Sequence, residues 1–138
     1  MITNKLRAAA LKSTFQREKI LEYISSRKEH PSVDMIYKHM ITLCPSISKT
    51  TVYNTVKSLD KAGLIKAVKF CSKDKIIYDG NTSVHCHFVC NKCGKIFDLD
   101  FDCKDIIKKE IDGHKVENIC TYFSGICKEC KIKVKVKI

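Results

Sequence analysis

The stretch Ser48-Lys49-Thr50-Thr51-Val52-Tyr53-Asn54-Thr55-Val56-Lys57-Ser58-Leu59-Asp60-Lys61-Ala62-Gly63 decides the fold. Ser48 is a capping residue ahead of a periodic run, and Gly63 stands where a helix turns left-handed to stop. Between them Val52, Val56 and Leu59 recur at helical spacing and form a buried stripe. The opposite face carries Lys49, Thr50, Tyr53, Asn54 and Lys57. Lys49 and Lys57 suit phosphates, Tyr53 offers a ring to a thymine methyl, and Asn54 can pair with a base edge. Any single helix can show a solvated face like this, so the flanking sequence has to decide.

Upstream, residues 4–12 read as a short basic helix around Leu6, Ala8 and Leu11. Ser13 with Gln16 resembles a capping box opening a helix to about residue 25, with Ile20, Leu21 and Ile24 on one face. His30-Pro31 breaks the chain. Ser32 then caps a helix in which Val33, Ile36, Tyr37, Met40 and Ile41 share a face, and Pro45 ends it. Downstream, residues 64–70 and 75–78 are β-rich runs separated by the polar 71–74. Three helices followed by a β-hairpin predict a winged helix-turn-helix, with Ser48–Gly63 as its reading helix. That domain covers residues 1–80.

The polar run 79–83 predicts a hinge, and residues 84–138 a second domain of mixed α and β structure. Strands are expected at 85–90, 95–99 and 115–123, and an amphipathic helix at 103–111. The tail 131–138 alternates Lys with Ile or Val, which suggests an edge strand or a frayed end.

Composition agrees with this division. Apolar residues make up 44% of the 138, enough for a core, and the net charge is +11. The first 80 residues hold 15 basic and 7 acidic side chains, the last 58 only 11 and 8, so the basic excess lies in the first half. Nucleic acid is the leading partner for that half, although 23 Lys against 3 Arg reflect a Lys-rich composition as well. No run approaches the ~18 apolar residues of a membrane span. Residues 1–20 carry charge throughout and lack a signal-peptide core. The expectation is a soluble cytoplasmic protein with no membrane partner.

Nine cysteines include two C-x-x-C pairs, Cys90/Cys93 and Cys127/Cys130, each read as a knuckle-like turn. Four thiolates at this spacing suit tetrahedral Zn²⁺ and would fasten the start of the second domain to its end. Coincidence or a redox pair is the rival, but a redox pair needs only one motif. Cys44, Cys71, Cys86, Cys103 and Cys120 show no spacing logic and read as small thiols. His85 and His87 alternate on a strand and face one way, and Asp98 on the paired strand can meet them. Two His and one carboxylate suit Fe²⁺ or Mn²⁺, but an isolated H-x-H is a weak signal. Nothing local marks His30 or Asp79 as a ligand, and His39 and His114 read as structural or surface residues.

The residues then add up to a family. Ser48–Asn54, His85-Cys86-His87-Phe88-Val89-Cys90-Asn91-Lys92-Cys93-Gly94-Lys95 and Gly125-Ile126-Cys127-Lys128-Glu129-Cys130 resemble the ferric uptake regulator family of bacterial metal-dependent repressors. The resemblance covers essentially the whole chain, in order and at family spacing. It implies a homodimer with an N-terminal winged helix and a C-terminal α/β dimerisation domain. It implies structural Zn²⁺ on Cys90, Cys93, Cys127 and Cys130. It also implies a regulatory Fe²⁺ or Mn²⁺ on His30, Asp79, His85, His87 and Asp98. Asp79, Asp98 and Val52-Tyr53-Asn54 are similar to the family's peroxide-sensing branch, in which iron-catalysed oxidation falls on histidine ligands, here His30 and His85. Ile119 stands where many iron sensors carry a further ligand His, and Phe15 replaces a usual Pro at the start of the second helix.

The reading is therefore a metal-dependent repressor of palindromic double-stranded operators, a sensor and not an enzyme. An iron- or zinc-sensing repressor of the same family is the first alternative, the latter because Cys86 is a potential soft ligand. A C-x-x-C redox or zinc-ribbon enzyme and a nucleoid-type basic protein are more distant ones.

Overall fold

The computed structural model describes residues 1–26, 30–70, 75–100, 102–103, 105, 108–117, 119 and 121–136, the last three as backbone only. They group into two compact units, Met1–Thr82 and Ser83–Ile138.

The first unit is a winged helix-turn-helix. It runs α1 (Ile2–Ala8), α2 (Phe15–Ser26), α3 (Val33–Leu43), α4 (Lys49–Lys61), β1 (Lys66–Lys69) and β2 (Ile76–Asp79). α2, α3 and α4 pack on one another around Ile20, Leu21, Ile24, Ile36, Met40, Val52, Val56 and Leu59. All eight are fully buried, and each contributes roughly 1.5–3 kcal/mol of apolar transfer. Side-chain caps fix where α3 and α4 start. Ser32 Oγ accepts from the Met35 N–H at 3.4 Å, and Ser48 Oγ from the Thr51 N–H at 3.1 Å. α4 ends in a Schellman closure: Leu64 N–H donates to the Leu59 carbonyl and Gly63 N–H to that of Asp60, both at 3.0 Å. Gly63 takes φ +77°, a conformation that penalises any residue with a Cβ. The wing β1–β2 is antiparallel, with Lys66 opposite Asp79. Asp60 Oδ1 accepts from the Ala67 N–H at 3.0 Å and ties the wing to the end of α4.

The second unit holds β3 (His87–Cys90), β4 (Ile96–Asp98), β5 (Glu110–Ile111), β6 (His114–Lys115), β7 (Tyr122–Gly125) and α5 (Lys128–Val136). β3 is the centre of a three-stranded sheet, antiparallel to β4 and parallel to β7. β5 and β6 form a separate hairpin.

Several sequence-based expectations are corrected. The first helix is Ile2–Ala8 rather than 4–12, because Ala10 adopts φ +58° and the helix ends before it. The cap of α2 is Thr14, whose Oγ1 accepts from the Arg17 N–H at 3.3 Å. Ser13 instead donates to the Glu18 carboxylate. Asp79 closes β2 and is buried, so it belongs to the wing and not to a linker. Of the expected helix at 103–111, residues 104, 106 and 107 lie outside the described residues, and Glu110–Ile111 is strand. Asp112 and Gly113 both have positive φ and turn β5 into β6; of the expected strand at 115–123, Lys115 ends β6, Tyr122 and Phe123 begin β7, and residues 118 and 120 lie outside the described residues. The tail is helical through Val136, the last described residue: alternation of Lys with Ile or Val is outweighed by the Cys127 turn, where the Lys131 N–H donates to the Cys127 carbonyl at 2.9 Å. The polar loop 71–74, with Cys71, and Cys120 lie outside the described residues.

Candidate metal centres and DNA-reading helix

Four sulfurs converge in the second unit. β3 ends in Cys90, and the turn after it carries Cys93 before Gly94 at φ +75°. β7 runs parallel to β3 with Gly125 opposite Cys90, which delivers Cys127 and the first turn of α5 to the same place. Cys127 and Cys130 therefore sit on a helical turn and not on a second knuckle; their i, i+3 spacing turns both thiols to one side. The Sγ atoms of Cys90, Cys93, Cys127 and Cys130 lie within 4.8 Å of one another, and the Cys93 and Cys127 sulfurs are 3.8 Å apart. A tetrahedral ion with ~2.3 Å metal–sulfur bonds sets sulfurs about 3.8 Å apart, so the donor set fits Zn²⁺.

Backbone amides already polarise this cluster. The Cys93 and Cys127 N–H groups donate to Cys90 Sγ at 3.5 and 3.4 Å. These two bonds, Cys93 first, pull the Cys90 thiol down to about 5. Its neighbour Cys127, aided by burial, pushes Cys130 up to about 12. The opposite shifts of Cys90 and Cys130 belong to one cluster, in which a divalent cation would offset the repulsion between thiolates.

The histidine set is built on β3 and β4. The strand begins at His87, so His85 and Cys86 precede it rather than belonging to it. The alternation still holds: the His85 and His87 rings lie 4.4 Å apart, and Cys86 is fully buried near Thr121, its Sγ 3.9 Å from Thr121 Oγ1. His87 pairs with Asp98 across the ladder. Asp98 Oδ1 lies 3.1 Å from His85 Nε2 and 3.3 Å from His87 Nε2. His85 Nδ1 is 2.7 Å from the Ser83 carbonyl, an acceptor only, so the proton sits on Nδ1. In a neutral His85 ring that turns the Nε2 lone pair towards the carboxylate, an arrangement that calls for a cation or a second proton.

A second pair lies in the first unit. His30 adopts φ +53° at the break before α3 and is buried at 4% exposure. The Tyr78 N–H donates to the Pro31 carbonyl at 2.9 Å and docks this turn beside β2. His30 Nε2 then lies 3.3 Å from Asp79 Oδ2, while Asp79 Oδ1 accepts from the Asn81 N–H at 2.9 Å. Gly80 permits this: a Cβ there would stand 3.0 Å from Ser25 Cα and 3.1 Å from the Ile24 carbonyl oxygen. Sequence reasoning passed over Ser83, Asn81 and Gly80 because two of them act through backbone atoms and the third through its missing side chain. Gly80→Ala is expected to destabilise the first unit by about 1–3 kcal/mol, read as a lower melting temperature.

On α4, Lys49, Thr50, Tyr53, Asn54 and Lys57 are all exposed, with Tyr53 at 49%. Lys49 pairs with Asp34 at the start of α3. That hydrogen bond holds the Asp34 carboxyl below its ordinary range. Both groups are solvated, so Lys49 can exchange this partner for a phosphate at little cost.

A winged helix carrying an exposed polar face, joined to a unit with a four-cysteine cluster and a histidine–carboxylate set, defines the class of metal-binding helix-turn-helix proteins. Residues 8–123 match the ferric uptake regulator family, and the chain belongs to it. The peroxide-responsive repressor PerR of Staphylococcus epidermidis is 32% identical over 134 residues, covering 91% of this chain and 85% of that protein. PerR from Streptococcus pyogenes, solved as a structure for peroxide sensing and gene regulation, superposes with a TM-score of 0.54 at 36% identity, covering 94% and 90%. The Vibrio cholerae ferric uptake regulator superposes with a TM-score of 0.69 at 30% identity, covering 91% and 98%. Among the described residues no helix is long and apolar enough to cross a membrane.

Proposed function

We propose that this chain is a homodimeric, metal-dependent transcriptional repressor that binds a palindromic operator and loses it when peroxide oxidises its iron site. The observation that carries the reading is the paired approach of His85 and His87 Nε2 to one oxygen of Asp98. We read His30, Asp79, His85, His87 and Asp98 as the ligands of one regulatory Fe²⁺ or Mn²⁺, and Cys90, Cys93, Cys127 and Cys130 as those of a structural Zn²⁺. Nitrogen and carboxylate donors suit the first, thiolates the second.

His30 and Asp79 belong to the winged-helix unit, and the other three to the second. An ion that takes ligands from both favours the arrangement in which both are presented to it. By linkage, the ion and the operator strengthen each other if that arrangement spaces two α4 helices about 34 Å apart, one duplex turn. Exposed Phe123, Ile126 and Ile132 supply apolar surface for a dimer. The bound iron would supply the redox chemistry. On this reading His30 and His85, as ligands of that iron, would be the residues oxidised. Cys86, buried away from the rings, is not counted among the ligands.

Operator binding with Mn²⁺ or Fe²⁺, before and after micromolar peroxide, tests the reading. Binding lost only with Fe²⁺ plus peroxide, with one oxygen added to His30 or His85, is expected. Oxidation confined to the C-x-x-C cysteines with zinc loss would sink it.

Two substitutions sharpen the assignment. Lys49→Ala is expected to weaken all DNA sequences alike and to flatten the salt dependence by about one unit, whereas Tyr53→Ala relaxes base preference. Equilibrium binding to operator and scrambled duplexes over a salt series distinguishes the two. Asp98→Glu moves the carboxylate by about 1.5 Å and allows bidentate ligation. Metal-dependent operator binding is expected to persist while peroxide sensitivity falls; unchanged sensitivity would remove Asp98 from the ligand set.

A further inference from the structure

The segment that enters β3 separates two kinds of chemistry. His85 and His87 turn to Asp98, and Cys86 between them turns into the interior, with no exposed surface. A second buried thiol meets it there. Cys103, 6% exposed, donates from Sγ to the Val84 carbonyl at 3.9 Å, two residues before Cys86. The Leu99 N–H donates to the Cys86 carbonyl at 2.9 Å, which holds Leu99, just past the end of β4 and four positions before Cys103, beside Cys86. Burial, and after it the neighbouring Cys86 thiol, raises the Cys103 pKa.

We propose that Cys86 and Cys103 form a second oxidation site, separate from the metal ligands, at which a peroxide closes a disulfide that draws His85 and His87 away from the regulatory ion. Cys103 has the greater exposure and reacts first. Its sulfur attacks a peroxide oxygen, the O–O bond breaks, and the thiol becomes a sulfenic acid with release of water. The Cys86 sulfur then attacks the sulfenic sulfur; the S–S bond forms, the S–O bond breaks, and the hydroxyl leaves as a second water with the Cys86 proton. Two electrons from the pair reduce one peroxide. The bond demands Cα atoms about 4.4–6.8 Å apart and a fixed sulfur torsion, and the residue it re-aims lies between two proposed ligands. Both thiols are buried, so this site responds to higher or longer oxidant exposure than an iron centre.

The effect on the ion rests on the ligand reading above; the disulfide does not. The test uses the full zinc-loaded chain with Mn²⁺ in place of iron, which silences iron-catalysed oxidation. After hydrogen peroxide and alkylation, mass spectrometry is expected to find the Cys86 and Cys103 peptides joined and two hydrogens lighter, with zinc retained. Mn²⁺ affinity is expected to fall about 10–100-fold and to recover with a thiol reductant. Cys103→Ala is expected to block the link and leave Mn²⁺ affinity of the reduced protein unchanged; Cys103→Ser, closer in volume, repeats the measurement if the alanine variant fails to fold. No linked peptide, a link to any other cysteine, or linked protein with unaltered Mn²⁺ affinity would overturn the proposal. A reduced protein that never binds Mn²⁺ would overturn both the ligand reading and the effect on the ion, while the linked peptide still reports on the disulfide.

Discussion

Cys130→Ser is expected to leave the second unit without its folded structure. The cluster of Cys90, Cys127 and Cys130 packed by Phe88 and Phe97 is a small core. Structural zinc binding is worth about 10–16 kcal/mol in isolated zinc-binding peptides, as much as the ~5–15 kcal/mol that holds a typical domain together. A serine oxygen replaces a soft thiolate poorly, and the hole it leaves is in the one place where β3, β7 and α5 meet. Zinc content should fall from one per chain to near zero, and the strand signal of the second unit should be lost, while α1–α4 retain theirs. A zinc-free, fully folded Cys130→Ser dimer would refute the assignment. The sign of the pH dependence follows from the thiols. Cys130, pushed up to about 12, still carries its proton at pH 7. Metal binding must displace that proton, so affinity rises with pH and acid releases the ion.

His30→Ala is the second large effect. It removes the imidazole of the ligand pair contributed by the winged-helix unit and leaves Asp79 alone there. Mn²⁺ is then expected to bind at the second unit's donors with no advantage to the operator-bound form. Operator affinity in saturating Mn²⁺ should drop to the metal-free value, a loss of about 5–150-fold, the usual range of a coupling between two sites. Zinc content and dimer mass should not change. If His30→Ala still responds fully to Mn²⁺, His30 is not a ligand and its burial is structural. Histidine is favoured over alanine in the left-handed region, so the melting temperature of the variant is measured beside its Mn²⁺ response to separate backbone strain at φ +53° from the loss of a ligand.

Local patterns carried much of this. Ser48 and Gly63 bracketed α4 because caps and Schellman closures are interactions between residues a few positions apart. Val52, Val56 and Leu59 marked its buried face for the same reason. The two C-x-x-C pairs announced a cluster, and their four sulfurs do lie within 4.8 Å of one another. His30 and Asp79 were legible only through family resemblance, because 48 intervening residues separate them and no local rule joins them.

Tertiary structure decided the rest. Residues 131–138 have the alternation of a strand, and a two-residue period does favour one. Residues 131–136 instead continue α5, whose first turn brings the Cys127 and Cys130 thiols to the end of β3. The Asp112-Gly113 turn was readable as a hairpin signal, yet the apolar run before it suggested a helix, and only pairing of β5 with β6 resolved that. Asp79 looked like a hinge residue until its pairing with Lys66 placed it in the wing. Gly80 is a turn residue by composition, but its need to be glycine comes from the α2 backbone approaching it, a contact 55 residues away in sequence. Sequence alone determined the winged helix, the exposed polar face of α4 and the four clustered cysteines, because short-range periodicity and spacing specify them. The orientation of Cys86 away from His85 and His87, the amides that polarise Cys90 and the seat of Asp79 depend on long-range packing, which no window of neighbouring residues contains.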